Sequence, residues 1–365
     1  MHIISGNDNG GGGNHVLNIC NKSNKYFENI IGCLGQGPLY LKTRDMDVSY
    51  KLFDKKLNNM ELVNYVNDNS INIVSFHGAK PFLIHLILKN KFKVPTVAVV
   101  HSDFRYDFIN NKLKYLIFTP LSIKGLKSFS SYICVSNNLK KLLEEKKIRG
   151  TKNVVNNGID IKKVRIGISA ENIRNNLKFG QKEFIFVMVA RLHPIKNHRQ
   201  VILAFSKLTL EFQDVKLILV GDGELRPNLE KLILELKLQN NVIMVGNVSN
   251  PIAYINSSNV SVLASLSEGG APPLTVLESG IVKKSLIYTE VGDLECILDK
   301  NSGYKIKNKE SENIYKIMKE VYLDRINLNI KGENLYNIVV NRFTIEKFWN
   351  NYFQIYKSIL KKNDF

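Results

Sequence analysis

The chain has 365 residues, 44% hydrophobic and 23% charged, which places it among globular proteins and suggests two domains, because single cores rarely grow past ~250–300 residues. Its formal net charge is +18, from 51 Lys and Arg against 33 Asp and Glu; that excess favours an anionic partner (a phosphate-rich donor, an acidic membrane face or nucleic acid) or reflects a composition crowded with Lys, Asn and Ile. Cys20, Cys33, Cys134 and Cys296 are scattered and form no C-x-x-C pair, which argues against a disulfide framework and a zinc site and leads us to expect a reducing cytoplasm.

No signal-peptide pattern opens the chain. The longest apolar runs fall well short of the ~20 residues that a spanning helix needs. A soluble protein is expected, at most lying on a membrane surface.

Short β-rich runs alternate with helical patterns from end to end. In the first half, residues 2–5, 71–76, 96–100, 132–135 and 153–155 read as strands, and 55–67, 81–90 and 137–147 as helices. Residues 10–13 are a run of four glycines. Between residues 80 and 127, nine basic side chains face only Asp103 and Asp107. Residues 108–129 mix Phe108, Leu113, Leu116, Phe118 and Leu121 with Lys112, Lys114, Lys124 and Lys127. Such a segment suits an anionic membrane surface, or equally a core-facing helix with a wet basic side. A seam without clear period lies near residues 158–180. Beyond it, residues 184–190, 215–220, 242–245, 260–264 and 285–288 read as strands, and 198–211, 225–238, 274–281 and 294–299 as helices. Residues 344–361 form a final amphipathic helix rich in aromatics. Short apolar runs alternating with helices predict an α/β architecture with doubly wound parallel sheets, here twice.

Three stretches of the second half carry chemistry. Arg191 and Lys196 stand in a strand-to-helix turn, where doubly wound sheets bind ligands. Two fixed cations there can hold a diphosphate and stabilise its charge as it leaves; the alternative is a solvated basic turn. Gly221-Asp222-Gly223-Glu224 repeats the strand, glycine turn and helix pattern, more simply read as a tight turn. Then Glu268-Gly269-Gly270-Ala271-Pro272-Pro273 leads into a helix. Gly269 and Gly270 allow close backbone approach, and Pro273 suits a first turn. The N–H groups of Leu274, Thr275 and Val276 would form an anion site backed by the helix dipole. Glu278, one turn in, can accept from both hydroxyls of a ribose, or is an ordinary glutamate favoured by the dipole. In the first half, His101 ends a strand, where it is either a site residue or a capped structural histidine.

Taken together, these residues resemble the family 4 glycosyltransferases of the GT-B fold, and the resemblance covers most of the chain. It rests on Arg191 and Lys196, on Glu268 and Glu278, and on the Gly10–Gly13 loop with Gly12 and Gly13. Landmarks at Ser75-Phe76-His77-Gly78, Val99-Val100-His101, Cys134-Val135-Ser136 and Asn156-Asn157-Gly158-Ile159-Asp160 add to it. The resemblance implies two Rossmann-like domains with an interdomain cleft. Residues 1–162 would be the acceptor side, 163–341 the nucleotide-sugar side, and 342–365 a helix returning to the first domain. It further implies a donor phosphate site of Arg191, Lys196, Gly270, Leu274 and Thr275. Glu278 would hold the ribose, and Glu268 and His101 would face the donor sugar. Retention of configuration follows from it, with no metal and no cofactor beyond the donor, for which uridine is the expected base. A glycan or lipid-linked acceptor of cell-surface polysaccharide synthesis is expected.

The sequence departs from the family in three places. Nine residues separate Glu268 from Glu278 where seven are usual; Ser102 rather than Asp follows His101; and Asn14 stands near a usual acidic position. Other readings are a nucleotide-sugar epimerase or hydrolase, which would need a carboxylate cluster that is not found, and a catalytically silent binding subunit. No G-x-G-x-x-G, Walker A or nucleic-acid motif occurs, and Asp45-Met46-Asp47 is a chance D-x-D. His2, His15, His85, His193 and His198 are expected to be surface or packing residues.

Overall fold

The fold is that of a computed structural model describing residues 1–8, 10–21, 24–104, 112–162, 170–269 and 272–363. The chain forms two compact units, one of Met1–Gly158 with the final helix, the other of Ile159–Glu268 and Pro272–Thr344.

The first unit runs β1 (His2–Ser5), α1 (Gly11–Ile19), β2 (Ile31–Leu34), α2 (Pro38–Asp45), β3 (Tyr50–Phe53), α3 (Met60–Asp68), β4 (Val74–His77), α4 (Ala79–Leu88), β5 (Thr96–Val100), α5 (Lys112–Leu126), β6 (Ser131–Cys134), α6 (Asn137–Glu145) and β7 (Thr151–Val154). Its strands are all parallel, in the order β3-β2-β1-β4-β5-β6-β7. Period-two alternation sends successive side chains to opposite faces. In β5, Val97 and Val99 join one core layer, while Ala98 and Val100 join the other. A strand buried on both faces must be apolar throughout, which is why β5 reads as an unbroken run. The last helix, Ile345–Asn363, lays Ile345, Phe348, Trp349, Tyr352, Tyr356 and Ile359 against Ile4, Val97 and Val99. Trp349 Nε1 donates to the Asn18 carbonyl at 2.8 Å.

The second unit runs α7 (Ala170–Asn176), β8 (Phe184–Val189), α8 (His198–Glu211), β9 (Val215–Val220), α9 (Arg226–Glu235), β10 (Val242–Gly246), α10 (Pro251–Ser257), β11 (Val260–Leu263), α11 (Leu274–Ile281), β12 (Ser285–Thr289), α12 (Leu294–Ile297), β13 (Tyr304–Ile306), α13 (Ser311–Leu323) and α14 (Arg325–Arg342); the helix Ile345–Asn363 is thus α15. Its parallel sheet has the order β10-β9-β8-β11-β12-β13.

The α/β class with two doubly wound sheets is therefore what the structure shows. In each sheet the strand order reverses once, beside β1 and beside β8. Loops leaving the strands there diverge and open a crevice at the carboxyl ends, the usual ligand position in such sheets. The glycine run is not an open loop: Gly11, Gly12 and Gly13 are the first turn of α1. Residues 163–169, inside the expected seam, lie outside the described residues. Among those described, no helix is long and apolar enough to cross a membrane.

Candidate active site

In the second unit, the site residues gather where β8 and β11 separate. After β8 the chain passes Arg191 and makes a short 3-10 turn, Pro194–Lys196, before α8. Two features hold that turn. The Ile195 N–H donates to His193 Nδ1 at 3.2 Å. Asn197 takes a left-handed φ of 66°, unusual without glycine, while its amide donates to the Lys309 carbonyl at 2.9 Å. The loop after β11 is tied to the turn by a Leu266 N–H donating to the Ile195 carbonyl at 2.7 Å. That clamp brings the Lys196 ammonium onto Glu268 Oε1 in a short ion pair. Ser265 Oγ donates to the same oxygen at 2.6 Å. The predicted cation and the predicted sugar-facing carboxylate thus hold each other in place. Arg191 is exposed, and among the described residues no hydrogen bond or ion pair engages its guanidinium; its carbonyl accepts from the His193 N–H at 2.7 Å.

The β9 loop closes against this turn. Leu192 N–H donates to the Asp222 carbonyl at 3.0 Å. A Cβ added to Gly223 would lie 2.5 Å from the Leu192 carbonyl oxygen, so the approach requires glycine. The predicted glycine turn is therefore structural support for the Arg191 loop.

α11 starts at Leu274 with Pro273 as its N-cap, at φ −55° and ψ 144°. The anion site expected from three N–H groups is reduced to two. Val276 N–H already donates to the Pro273 carbonyl at 3.0 Å, because an extended proline cap turns its own carbonyl toward N3. Among the described residues, the N–H groups of Leu274 and Thr275 are unengaged. Gly270 lies outside the described residues. Glu278 is half-buried, and neighbouring protein encloses it enough that desolvation pushes its carboxyl up to about 7. No hydrogen bond among the described residues reaches that carboxylate, so a ligand hydroxyl would find it ready to accept.

In the first unit, α1 begins beneath Asp8, whose Oδ1 accepts from Gly10 N–H at 2.9 Å and from Gly13 N–H at 3.0 Å. A carboxylate at a helix start is favoured by the dipole and takes N–H groups that an anionic ligand would otherwise use. Gly12 and Gly13 border this cap. A Cβ on Gly12 would lie 3.0 Å from Asp8 Oδ2 and 3.6 Å from the His101 ring, so the missing side chain lets α1 approach both groups.

His101 is the end of a cluster. His77 Nδ1 and His101 Nε2 are 2.8 Å apart, with their rings stacked at 5.1 Å. His77 Nε2 lies 3.1 Å from His2 Nδ1. His15 packs edge-on to His101 at 4.8 Å, between Asn157 Oδ1 at 2.9 Å and the Tyr352 hydroxyl at 2.7 Å. Burial pushes His2, His77 and His101 well below the usual imidazole range, and His15 down to about 4, so all four are neutral at physiological pH.

His2 and His15, expected to be surface or packing residues, are thus buried partners of His101. A histidine inside the apolar run of β1 was the available signal. Asp8 escaped the sequence reading as well, although Asp followed closely by Gly is a turn and cap signature. The remaining histidines do pack. His85 is buried between Ser128 Oγ at 2.7 Å and Thr96 Oγ1 at 2.8 Å. His198 is buried at the start of α8. His193 is partly buried, with Nε2 3.7 Å from a Glu224 carboxylate oxygen.

Residues 169–338 match the family model described as glycosyl transferases group 1, and residues 9–163 the model described as glycosyltransferase family 4. The chain is 30% identical over 230 residues to an uncharacterized glycosyltransferase of Methanocaldococcus jannaschii, covering 60% of this chain and 55% of that one. It is 22% identical over 312 residues to the capsular polysaccharide biosynthesis glycosyltransferase CapM of Staphylococcus aureus, covering 80% of each. The chain spans about half the length of several curated relatives that it matches. Among solved structures, Anabaena HepE in complex with UDP-glucose superposes with a TM-score of 0.84 at 17% identity, covering 99% of this chain and 98% of that one.

Proposed function

The chain belongs to the family 4 glycosyltransferases of the GT-B fold, and from that premise we propose that it transfers a sugar from a nucleotide-sugar, with uridine as the base, to a glycan or lipid-linked acceptor of cell-surface polysaccharide synthesis. The observation that carries the reading is the constellation at the β8/β11 switch point. Free Arg191, the Lys196–Glu268 pair, the two unengaged N–H groups of α11 and unpartnered Glu278 all stand on the second unit. Arg191, Lys196 and the helix N-terminus supply fixed positive potential for a leaving diphosphate, the role that a divalent cation fills elsewhere. Glu278 suits the ribose, and Glu268 the donor sugar. Residues 163–341 thus serve the donor and residues 1–162 the acceptor.

Among the described residues of the site, Glu268 is held in the Lys196 ion pair and Glu278 is given to the ribose, so neither is offered as a nucleophile. Retention of configuration fits a same-face displacement in which the departing phosphate takes the acceptor's proton. The complex of HepE with UDP-glucose and the role of CapM in capsular polysaccharide biosynthesis support the choice of donor and acceptor class. Leu116, exposed on α5, the helix that also carries Lys124, supports peripheral contact with an anionic membrane.

A thermal-shift screen tests the donor. A uridine diphosphate at 100 times its dissociation constant should add ~2.7 kcal/mol to stability. Stabilisation by adenosine or guanosine diphosphates alone would overturn the base. Absence of sugar transfer from any stabilising donor to lipid-linked acceptors would favour a silent binding subunit.

A further inference from the structure

His2, His77 and His101 form one hydrogen-bonded file in the first unit, running from the start of β1, through the end of β4, to the residue after β5. Its inner end is Asn29. The Asn29 amide nitrogen donates to the carbonyls of Ile19 at 3.2 Å and Phe27 at 3.3 Å. Both partners accept only, so the amide orientation is determined and Oδ1 faces His2 Nε2, at 3.1 Å. From that carbonyl the protons can be placed one by one. An amide oxygen accepts only, so His2 carries its proton on Nε2. A neutral imidazole has one donor and one acceptor, so His2 Nδ1 accepts from His77 Nε2–H. His77 Nδ1 must then accept from His101 Nε2–H. No metal reading competes: the facing nitrogens are at hydrogen-bond distance, and among the described residues no group of three potential ligands is arranged to hold an ion.

We propose that His2 and His77 are positioning residues which, anchored by Asn29, lock His101 in its Nε2–H tautomer, so that His101 meets substrate through Nδ1 as a hydrogen-bond acceptor. Nδ1 has no partner among the described residues, and His101 is only partly buried. The ligand it suits is a hydroxyl that donates, as on a sugar ring. An anionic oxygen, which cannot donate, does not suit it. That last step rests on the glycosyltransferase reading; the tautomer itself does not. The file ends on an amide that cannot take up a proton, so it orients and polarises His101 and does not drain protons away from it. The energetic sense is that of a metal-ligand or triad histidine, whose useful nitrogen is set by the hydrogen bond that the other one makes.

The test is nitrogen NMR of the full chain labelled at histidine. At neutral pH, His101 should show a protonated Nε2 and an unprotonated Nδ1, and so should His77 and His2. A protonated Nδ1, a cationic ring or an even tautomer mixture at His101 overturns the proposal, whether or not the protein transfers any sugar. His2→Phe removes the acceptor for His77 Nε2–H and frees His77 to reverse. His101 should then become a tautomer mixture in protein that melts cooperatively. Asn29→Leu should do the same more weakly, and it stands in if His2→Phe does not fold. A His101 spectrum unchanged in a folded variant of either kind overturns the relay. If donor turnover is measurable, His2→Phe should lower kcat more than it changes donor affinity, because the effect acts through the orientation of one acceptor nitrogen.

Discussion

Replacing Lys196 with Ala separates what this residue does for the fold from what it does for the reaction. In the structure its ammonium sits on Glu268 Oε1, with the two side chains 24% and 11% exposed. Breaking a fully buried pair by removing one partner costs ~3–5 kcal/mol. Here both side chains keep some water, and Ser265 Oγ still donates to the orphaned carboxylate. The stability cost should therefore be smaller, on the order of 1–2 kcal/mol, as for one charge-assisted hydrogen bond. That is a fall in Tm of roughly 2–8 °C for a unit of this size.

The kinetic cost is independent of this. Losing one preorganised positive group at a developing negative charge costs ~10²–10³ in kcat, or ~2.7–4 kcal/mol. The turnover loss should exceed the stability loss. The double variant Lys196→Ala with Glu268→Gln makes the distinction sharper. With the unpaired charge gone, stability should recover most of the way while turnover stays low. Calorimetric melting and donor turnover on the three proteins are the assay. Turnover of Lys196→Ala within a few-fold of wild type would refute the phosphate assignment and leave the ion pair a purely structural strut.

Glu278 makes stability depend on pH. Its carboxyl is raised from 4.5 to about 7, so the folded protein holds that proton more tightly than the unfolded chain does. This contribution is fully present below about 4.5 and is lost as pH rises toward 7. Glu278→Gln should abolish that segment of the stability profile and be more stable than wild type above neutrality, by on the order of 2 kcal/mol. An unchanged difference between variant and wild type across the range would show that the carboxyl titrates normally. Membrane contact through α5 predicts sedimentation with anionic vesicles at low salt and loss at high salt, since basic residues near an acidic leaflet contribute ~1 kcal/mol each and are screened. Leu116→Asp should weaken that binding; binding indifferent to lipid charge and ionic strength would count against it.

Much of this molecule follows from local pattern. The apolar run of β5 and the helices α8 and α11 sit where periodicity and punctuation put them, because each depends on residues close in the chain: β-branched side chains, a proline at a helix start, an amphipathic face. The second unit's motif loops are legible for the same reason, since a strand-to-helix turn carries its ligand groups in one short stretch. Less visible are β2 and β3. Ile31–Leu34 contains a glycine and a cysteine, and Tyr50–Phe53 contains a lysine, so neither stands out as a strand until a parallel neighbour completes its ladder. The glycines at 11–13 show the converse error, because propensity reads them as loop while Asp8 and the packing of α1 make them helix.

What only the tertiary structure decided is the pairing of polar groups. Lys196 and Glu268 are 72 positions apart, His2 and His77 are 75 apart, and His15 and Tyr352 are 337 apart. The sequence names Lys196, Glu268 and His101 as candidates but does not reveal that the first two form an ion pair, or that the third is set by a histidine at the second residue of the chain. The physical reason is burial. A polar side chain removed from water must find its hydrogen bonds among whatever the fold brings beside it. That choice is made across sheets and helices, where no short-range pattern records it.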